Sequence, residues 1–479
     1  MTRTVFEKSQ AGQHAYSLPK SDPEWEVDEP PAQLLRKSSL DLPEISEIDL
    51  TRHFSQLAQR NMGIDTNFYP LGSCTMKLNP RVNELCAQFP GFVRTHPLAP
   101  DDSVQGNLEL IHDLLKILCE LCGMTAGSLL PNAGAQGEYV GIRMISAYHR
   151  KRGDLKRTEI LIPDSAHGTN PATASIAGFT IVPIRTNRQG DMDLDHLREM
   201  TSEHTAGLML TNPNTLGLFS PVIMEICEIV HAKGGLLYYD GANMNAILNI
   251  AKPGEMGFDV MHLNLHKTFS TPHGGGGPGS GPVLCNDKLK PFLPVPRVEC
   301  DQDKYKIVWS SEASIGHIAS FHGNFSIYLR AYLYAMLHGN YGLRRIGEQS
   351  VLNANYLKSR IKNLFKVPFE QACMHEFVVQ ADRFVDKGVR ALDIAKRLLD
   401  YGIYAPTIYF PLIIKECLLI EPTESESKDT LDHFIAVLEK IVEEIERDPE
   451  FVKSAPHNLS IGRLDEVRAA KQPILKERL

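Results

Sequence analysis

The chain predicts an α/β protein in which a large, mostly parallel sheet is followed by a smaller C-terminal α+β domain, and three observations carry that expectation. Apolar runs of strand length alternate with helical segments between Glu159 and Tyr239, the pattern of parallel β-α-β units. Beyond Phe325 the texture changes to long helical periodicity with only short β-like runs. The 479 residues are enough for two domains, each with a full core. The expected partition is an N-terminal arm with a ligand-facing loop over 1–85, a large α/β domain over 86–324, and a small α+β domain with a tail over 325–479.

The elements follow in chain order. Residues 1–50 are polar and proline-punctuated and read as an arm, and a short helix is expected over His53 to Arg60. The stretch Asn67 to Pro80 is a loop in which Ser73, Cys74 and Thr75 follow Gly72. That content suits either an ordinary turn or a loop folding over a small ligand. A helix from Leu108 to Cys122 stops at Gly123, and Asn132 to Gly137 opens another long helix. Small residues at a helix start leave backbone N–H groups for an anion, so a phosphate is placed there, although many helices begin this way merely as caps. No Lys-Ser/Thr pair follows, which excludes a nucleoside-triphosphate loop.

Strands are expected at Glu159 to Pro163, Thr180 to Ile184, Gly207 to Thr211 and Leu236 to Tyr239, with helices near Ala172, from Leu194 to Met200 and from Pro221 to Lys233. Ser220 as cap, Pro221 at the first position and Gly234 as terminator mark the last of these. Further helices are read over 325–365, around Leu398 and through Ile435 to Ile445, and short strands at Phe377 to Val379 and Leu418 to Ile420. The acidic run Glu421 to Asp429 reads as the start of the last long helix, not as a binding segment.

Composition excludes several classes. A net charge of −8, a pI near 6.1 and the absence of a basic run argue against nucleic acid. No run of 18 apolar residues is present, and Glu7 and Lys8 interrupt the segment where a signal peptide needs an apolar core. A soluble, cytoplasmic protein with no membrane association is expected. Nine cysteines, an odd number, suit a reducing compartment. Cys119 and Cys122 form the only C-x-x-C, on a helical stretch with no second ligand pair, and no metal is expected.

The chemistry concentrates between Tyr238 and Pro282. Asp240 follows the apolar run Leu236 to Tyr239, and Lys267 follows Val260 to Leu265, so each is expected to cap a buried strand. With His167 and Asn212, four polar groups then sit at strand ends, where open α/β sheets bind ligands. A carboxylate and a lysine so placed serve pyridoxal phosphate. The amine forms a Schiff base with the aldehyde, and the aspartate keeps the pyridine nitrogen protonated as an electron sink. At an effective dielectric of about 20 and a separation of about 4 Å that ion pair is worth roughly 4 kcal/mol.

An Asp and a Lys at such a spacing are more often surface charges, but buried strand ends rarely carry unpaired ones. Gly274, Gly276 and Gly279 match a dinucleotide fingerprint, yet Pro278, Pro282 and a strand at Val283 to Cys285 stand where the fingerprint requires a helix. His167 can stack on a flat ring, a reading favoured over a structural histidine only because the other strand ends converge. His262, His266 and His273 match no metal spacing, and His266 can reach phosphate or substrate.

Tyr239-Asp-Gly-Ala-Asn243, the run from His266 to Gly281, Ser165-Ala-His-Gly-Thr-Asn-Pro171 and Gly72-Ser-Cys-Thr-Met-Lys77 closely resemble glycine decarboxylase, the P-protein of the glycine cleavage system. The likeness continues through Ser314-Ile-Gly316, His322-Gly-Asn-Phe325 and Tyr409-Phe-Pro-Leu412 and covers nearly the whole chain. It implies the aspartate-aminotransferase-like fold (fold type I) of pyridoxal phosphate enzymes. Lys267 would be the Schiff-base lysine, with Asp240 on the ring nitrogen and His167 on the ring face. Gly134, Ala135 and Gln136 would surround the phosphate, and Asn212, Ala242 and His266 would complete the cofactor site. Ser73, Cys74, Thr75 and His273 fall on the substrate side, toward a channel for a lipoyl arm. The implied reaction decarboxylates glycine and transfers the aminomethyl group to the lipoyl arm of the H-protein, formally an oxidoreductase.

The fused family enzyme is longer, so a single half carrying the lysine resembles subunit 2 of the split form, with a homologous subunit 1 as partner in an α2β2 hetero-oligomer. Another fold type I enzyme, such as an aminotransferase, and a non-catalytic scaffold subunit are the alternatives, and retention of Lys267 argues against the second.

Overall fold

The structure is a computed structural model that describes residues 3–17, 19, 30–38, 40–274 and 279–475. Glycines 275–277 and Pro278 of the glycine run lie outside the described residues. The chain divides into two units, Met1–Gly63 with Asn458–Leu479, and Ile64–His457.

In the first unit the arm is tied to itself by a backbone bond, Gln10 N–H to Glu44 O at 2.8 Å, and by Glu44 N–H to the Ser9 hydroxyl at 2.8 Å. Helix α1 spans Glu47–Ala58, starting well before the expected His53. Ser46 accepts the Asp49 N–H, and Glu47 and Asp49 sit in the first turn, so capping and the helix dipole set the start where apolar periodicity is silent.

The second unit opens with the short helices α2 (Arg81–Cys86) and α3 (Pro90–Val93), then α4 (Gln105–Cys122), stopped by Gly123 at φ +69° as the glycine signal predicts. Strand β1 (Ala126–Ser128) and helix α5 (Gly134–Lys151) lead into the alternation β2 (Glu159–Pro163), α6 (Thr169–Ile176), β3 (Thr180–Ile184), α7 (Leu194–Met200), β4 (Thr205–Leu210), α8 (Ile223–Ala232) and β5 (Leu236–Gly241). Helix α9 (Pro253–Met256), β6 (Val260–Leu263) and β7 (Val283–Cys285) complete a seven-stranded sheet of order β1-β7-β6-β5-β4-β2-β3. All its pairings are parallel except those of β7, which runs antiparallel to both β1 and β6.

Alternation along the strands divides two apolar cores between the two faces of the sheet. Tyr238, Ile160 and Val260 pack with Val140 and Ile145 of α5, whereas Leu237, Tyr239, Leu208 and Met261 pack with residues of α4, α8 and the later helix α10 (Phe325–Ile361). Burying both faces is why these strands read as continuous apolar runs.

The small domain contributes α10, interrupted at Gly339, then β10 (Phe377–Gln380), α11 (Ala391–Asp400), β11 (Thr407–Ile408), β12 (Cys417–Ile420), α12 (Lys428–Arg447) and α13 (Pro449–Lys453). Its antiparallel sheet, order β10-β12-β11, covers a third core with Phe365, Phe384, Phe434 and Ile441. Strands β8 (Arg297–Asp301) and β9 (Lys304–Val308) form a separate hairpin. Helix α14 (Glu466–Lys471) belongs to the first unit. Among the described residues no helix is long and apolar enough to cross a membrane.

Two expectations are corrected. Ser220 does not cap α8: its N–H goes to Asn212 Oδ1 at 2.9 Å and its hydroxyl to Asp191 at 2.8 Å, and the helix begins at Ile223. Asp240 lies inside β5 and not beyond its end, because β6 pairs with it as far as Gly241. Strand β1, three residues long, and the exposed β8–β9 hairpin give no usable sequence periodicity and are not foreseen.

Candidate functional site

The carboxyl ends of β2, β4, β5 and β6 open onto a cavity of about 330 Å³. Its lining includes Lys267, His167, Asp240, Ala242, Gly134, Ala135, His266, His273, Ser73 and Cys74. Three residues singled out from sequence do not line it. Asn212 is buried beneath, its Oδ1 taken by Ser220. The Gln136 side chain turns back, donating to Ile318 O at 2.6 Å and accepting the Asn132 N–H at 2.7 Å. Thr75 is fully buried and donates to Glu421 at 2.8 Å.

Strand register builds the acidic pole. Asp240 and His262 are direct partners across the parallel β5–β6 pair and therefore share a face. The Tyr238 hydroxyl, two residues before Asp240 on that face, meets His262 Nδ1 at 2.6 Å. Burial pushes the phenol well above its ordinary value, and His262 Nε2 stands 3.7 Å from Asp240 Oδ1. Burial also pulls His262 down to about 4, against the opposing pull of Asp240. Asp240 accepts the Ala242 N–H at 3.0 Å and the Asn170 amide at 2.9 Å. Burial alone would push the carboxyl up, but His262, these two donors and Lys267 outweigh burial and hold it below the usual carboxylate range.

Helix α5 builds the anion pole. Ala133 at its N-cap offers no side-chain acceptor, so the first-turn N–H groups are left for an external one. Gly134, Gly137 and Gly141 form one helical face pressed on the sheet. A Cβ on Gly134 would meet Asn264 Oδ1 at 2.2 Å, on Gly137 the Gly281 carbonyl at 2.5 Å, and on Gly141 the Tyr238 ring at 2.5 Å. From the same helix Glu138 is buried and receives Thr169 Oγ1 at 2.7 Å, Asn170 Nδ2 at 3.0 Å and Thr173 Oγ1 at 3.2 Å. The Thr169 N–H donates to His167 Nδ1 at 3.2 Å, which directs the other ring nitrogen elsewhere.

Lys267 stands four residues past β6 in a turn closed by its own N–H to Asn264 O at 3.0 Å. Two contacts pin the next residue: the Thr268 hydroxyl accepts the Met244 N–H at 2.9 Å, and the Thr268 carbonyl accepts Lys77 Nζ at 2.9 Å. Lys77 is itself paired with Glu424 at 2.8 Å. The acidic run after β12 is therefore more than a helix start. Ser427 does cap α12, but Glu424 reaches Lys77, and Glu421 accepts from Thr75 and Asn243 at 2.8 Å each. The loop Gly72 to Thr75 is docked on the small domain by Gly72 N–H to Leu419 O and Ser73 N–H to Glu376 at 2.8 Å. Ser73 and Thr75 both take left-handed φ, 66° and 47°, on either side of Cys74. Burial pushes the Cys74 thiol up, and Glu421 and Glu376 add to that against the pull of Lys267.

Sequence reasoning missed Glu138, Asn170, Asn243, Asn264, His375, Glu376 and Glu421. Asn170 and Asn243 stood inside quoted motifs, Glu421 opened the acidic run read as a helix start, and Glu376 carries no local signal.

A large mostly parallel sheet with a lysine turn, a buried aspartate and an uncapped helix start at its carboxyl edge defines a fold type I α/β protein. Solved structures of the same fold include a glycine decarboxylase (P-protein) of the glycine cleavage system in inhibitor-bound form. It is 18% identical with a TM-score of 0.71, over 86% of this chain and 93% of that one. A glutamate decarboxylase from Lactobacillus brevis is 15% identical with a TM-score of 0.66, over 90% and 96%.

The family described as Glycine cleavage system P-protein matches residues 25–306, and Glycine dehydrogenase, C-terminal domain, matches 346–458. Relatives named probable glycine dehydrogenase (decarboxylating) subunit 2 are 53% identical over 474 residues in Caldanaerobacter subterraneus (98% of each chain) and 54% identical over 477 residues in Halalkalibacterium halodurans (98% and 97%). The chain belongs to the glycine cleavage system P-protein family.

Proposed function

We propose that the chain is the lysine-bearing subunit of a two-subunit glycine decarboxylase that uses pyridoxal 5'-phosphate and passes the aminomethyl group to a lipoylated H-protein. The observation that carries this reading is the convergence of Lys267, the ionised Asp240 and the start of α5 on one cavity. The residues fit the cofactor. The uncapped first turn at Gly134 and Ala135 suits a phosphate, and Gly134 leaves no Cβ in its path. Asn264 lines the same cavity, and its buried Oδ1 has no partner among the described residues.

Lys267 would hold the cofactor through its amine, Asp240 would face the ring nitrogen, and His167 would lie against the ring. When bound, the cofactor supplies a protonated pyridine that accepts the electron pair released from glycine's bond to its carboxylate. Asn170, the Ala242 N–H and His262 keep Asp240 ionised for that task, and Lys77 fixes the turn that aims Lys267. Ser73, Cys74 and His273 would face the lipoyl arm. The relatives' designation as subunit 2 supports a homologous subunit 1 as partner, in an α2β2 assembly in the cytoplasm.

Exchange of labelled bicarbonate into the carboxyl group of glycine tests this, with lipoylated carrier and cofactor present. Exchange is expected only when a homologous subunit 1 is added, and not with Lys267→Ala. No exchange under any combination would remove the decarboxylase reading.

A further inference from the structure

We propose that Glu376 and Glu421 hold one proton between them at the cavity wall, and that Glu376 delivers it to the sulfur that leaves when the lipoyl disulfide opens. This rests on the decarboxylase reading above. The antiparallel β10–β12 register pairs Phe377 with Ile420, and one step further along it Glu376 faces Glu421. Like charges directly opposite in a sheet repel, and here both side chains are buried, at 4% and 0% exposure. Their oxygens and a ring nitrogen of His375 lie within 4.8 Å of one another.

The donors in reach do not balance two charges. Ser73 N–H serves Glu376 Oε2, while Thr75 and Asn243 both serve Glu421 Oε1, so among the described residues Glu421 Oε2 is left buried without a partner. Of the charged groups near the pair, Lys77 is engaged by Glu424, and Lys267 belongs to the cofactor. His375 adds no charge, since burial, with Lys267 and Lys77, pulls it down to about 3. A single proton between the carboxyls removes the excess negative charge. In agreement, burial pushes Glu421 up to about 7, and burial with the Glu421 charge pushes Glu376 well above the usual range.

The reaction needs such a proton. The bond between glycine's α-carbon and its carboxylate breaks, carbon dioxide leaves, and the electron pair ends in a new bond from that carbon to one lipoyl sulfur. The sulfur–sulfur bond breaks, and its pair stays on the second sulfur as a thiolate, which takes the proton and leaves the glutamate pair fully ionised. Glu376 lines the cavity beside Ser73 and Cys74, whereas Glu421 lies behind it as the reserve acceptor. Cys74 is a further acidic hydrogen on that side, but burial weakens its acidity further, and a thiol gives a thiolate no driving force.

Infrared spectroscopy of the cofactor-free chain at neutral pH is the first test. A deuterium-sensitive carbonyl band of a protonated carboxyl is expected, lost in Glu376→Gln and shifted in Glu421→Gln. In the complete two-subunit enzyme, Glu376→Gln should then lower aminomethyl transfer about 10²- to 10⁴-fold with little change in KM for glycine, and Glu376→Asp should restore much of it.

The proposal is overturned if the wild type lacks the band, if Glu376→Gln transfers at the wild-type rate, or if metal analysis finds a divalent ion held stoichiometrically by the three side chains. A wild-type complex that shows the band yet releases no carbon dioxide from glycine would overturn the decarboxylase reading and the sulfur step together, while the proton would remain assigned to the pair.

Discussion

At the scale of single residues the site is an allocation of hydrogen-bond donors to buried carboxyls. Asp240 takes an amide and a backbone N–H and stays ionised. Glu421 takes two donors on one oxygen and, among the described residues, none on the other, and is pushed up to about 7. Asp240→Asn is expected to retain the cofactor weakly while glycine decarboxylation falls by about three powers of ten, the kinetic equivalent of losing roughly 4 kcal/mol. Near-normal turnover would take the aspartate out of its proposed role.

Glu421 predicts a pH effect of definite sign. Between the ordinary glutamate value and about 7 the folded chain holds a proton that the unfolded chain has lost, so this group makes the protein less stable as pH rises through that window. Glu421→Gln removes the effect. Its stability relative to wild type should rise between pH 5 and pH 7, by at most about 1.4 kcal/mol per unit, in urea titrations at the two pH values. A difference independent of pH would contradict the assignment. Cys74→Ala should impair transfer to the lipoyl arm more than cofactor loading, read as transfer rate against cofactor absorbance, and equal loss of both would count against a role for the thiol on that side.

At the scale of elements two devices position the chemistry. Helix α5 approaches the sheet on a face of glycines, which brings its first turn to the cavity. Gly134→Ala should displace Asn264 and the Lys267 turn behind it, so cofactor affinity measured by absorbance titration should fall at unchanged overall fold. The second device is Lys77, which joins the loop after Gly72, the Lys267 turn and the small domain through Thr268 O and Glu424. Removing one member of a buried pair leaves the other uncompensated, so Lys77→Met should cost about 3 to 5 kcal/mol in urea unfolding. The Lys77→Met, Glu424→Leu double variant should recover part of that, and a fully additive loss would deny the coupling.

Much of this level was legible in the chain. The strands at Glu159–Pro163, Thr180–Ile184 and Val283–Cys285 and the helix at Leu194–Met200 stand where periodicity places them. The start of α8 was not, because Ser220 spends its hydroxyl on Asp191, a partner 29 residues away, and not on a helix cap.

At the scale of the whole molecule the site is the meeting of a large sheet's carboxyl edge with a small domain that supplies carboxyls and clamps a loop. A cofactor that touches β2, β5, β6 and α5 at once should stabilise all of them together. Saturating pyridoxal phosphate at about a hundredfold over its Kd is expected to add about 2.7 kcal/mol, seen as a higher Tm, and Lys267→Ala should lose most of that gain. An unchanged Tm with cofactor demonstrably bound would argue against a site built across these elements.

By itself the sequence determined the alternation of the large domain, the gathering of His167, Asp240 and Lys267 toward the carboxyl edge of the sheet, and the family. Each is written in local periodicity or in a contiguous motif, and local backbone preference survives translation into three dimensions. The tertiary structure alone decided that Glu376 faces Glu421 across an antiparallel register, that Lys77 and Glu424 pair in the interior, and that Thr75 and Asn212 turn away from the cavity. These depend on partners from 8 to more than 300 residues away, as with Asn212 and Ser220 or Thr75 and Glu421. A carboxyl acquires its unusual acidity only when such contacts remove it from water.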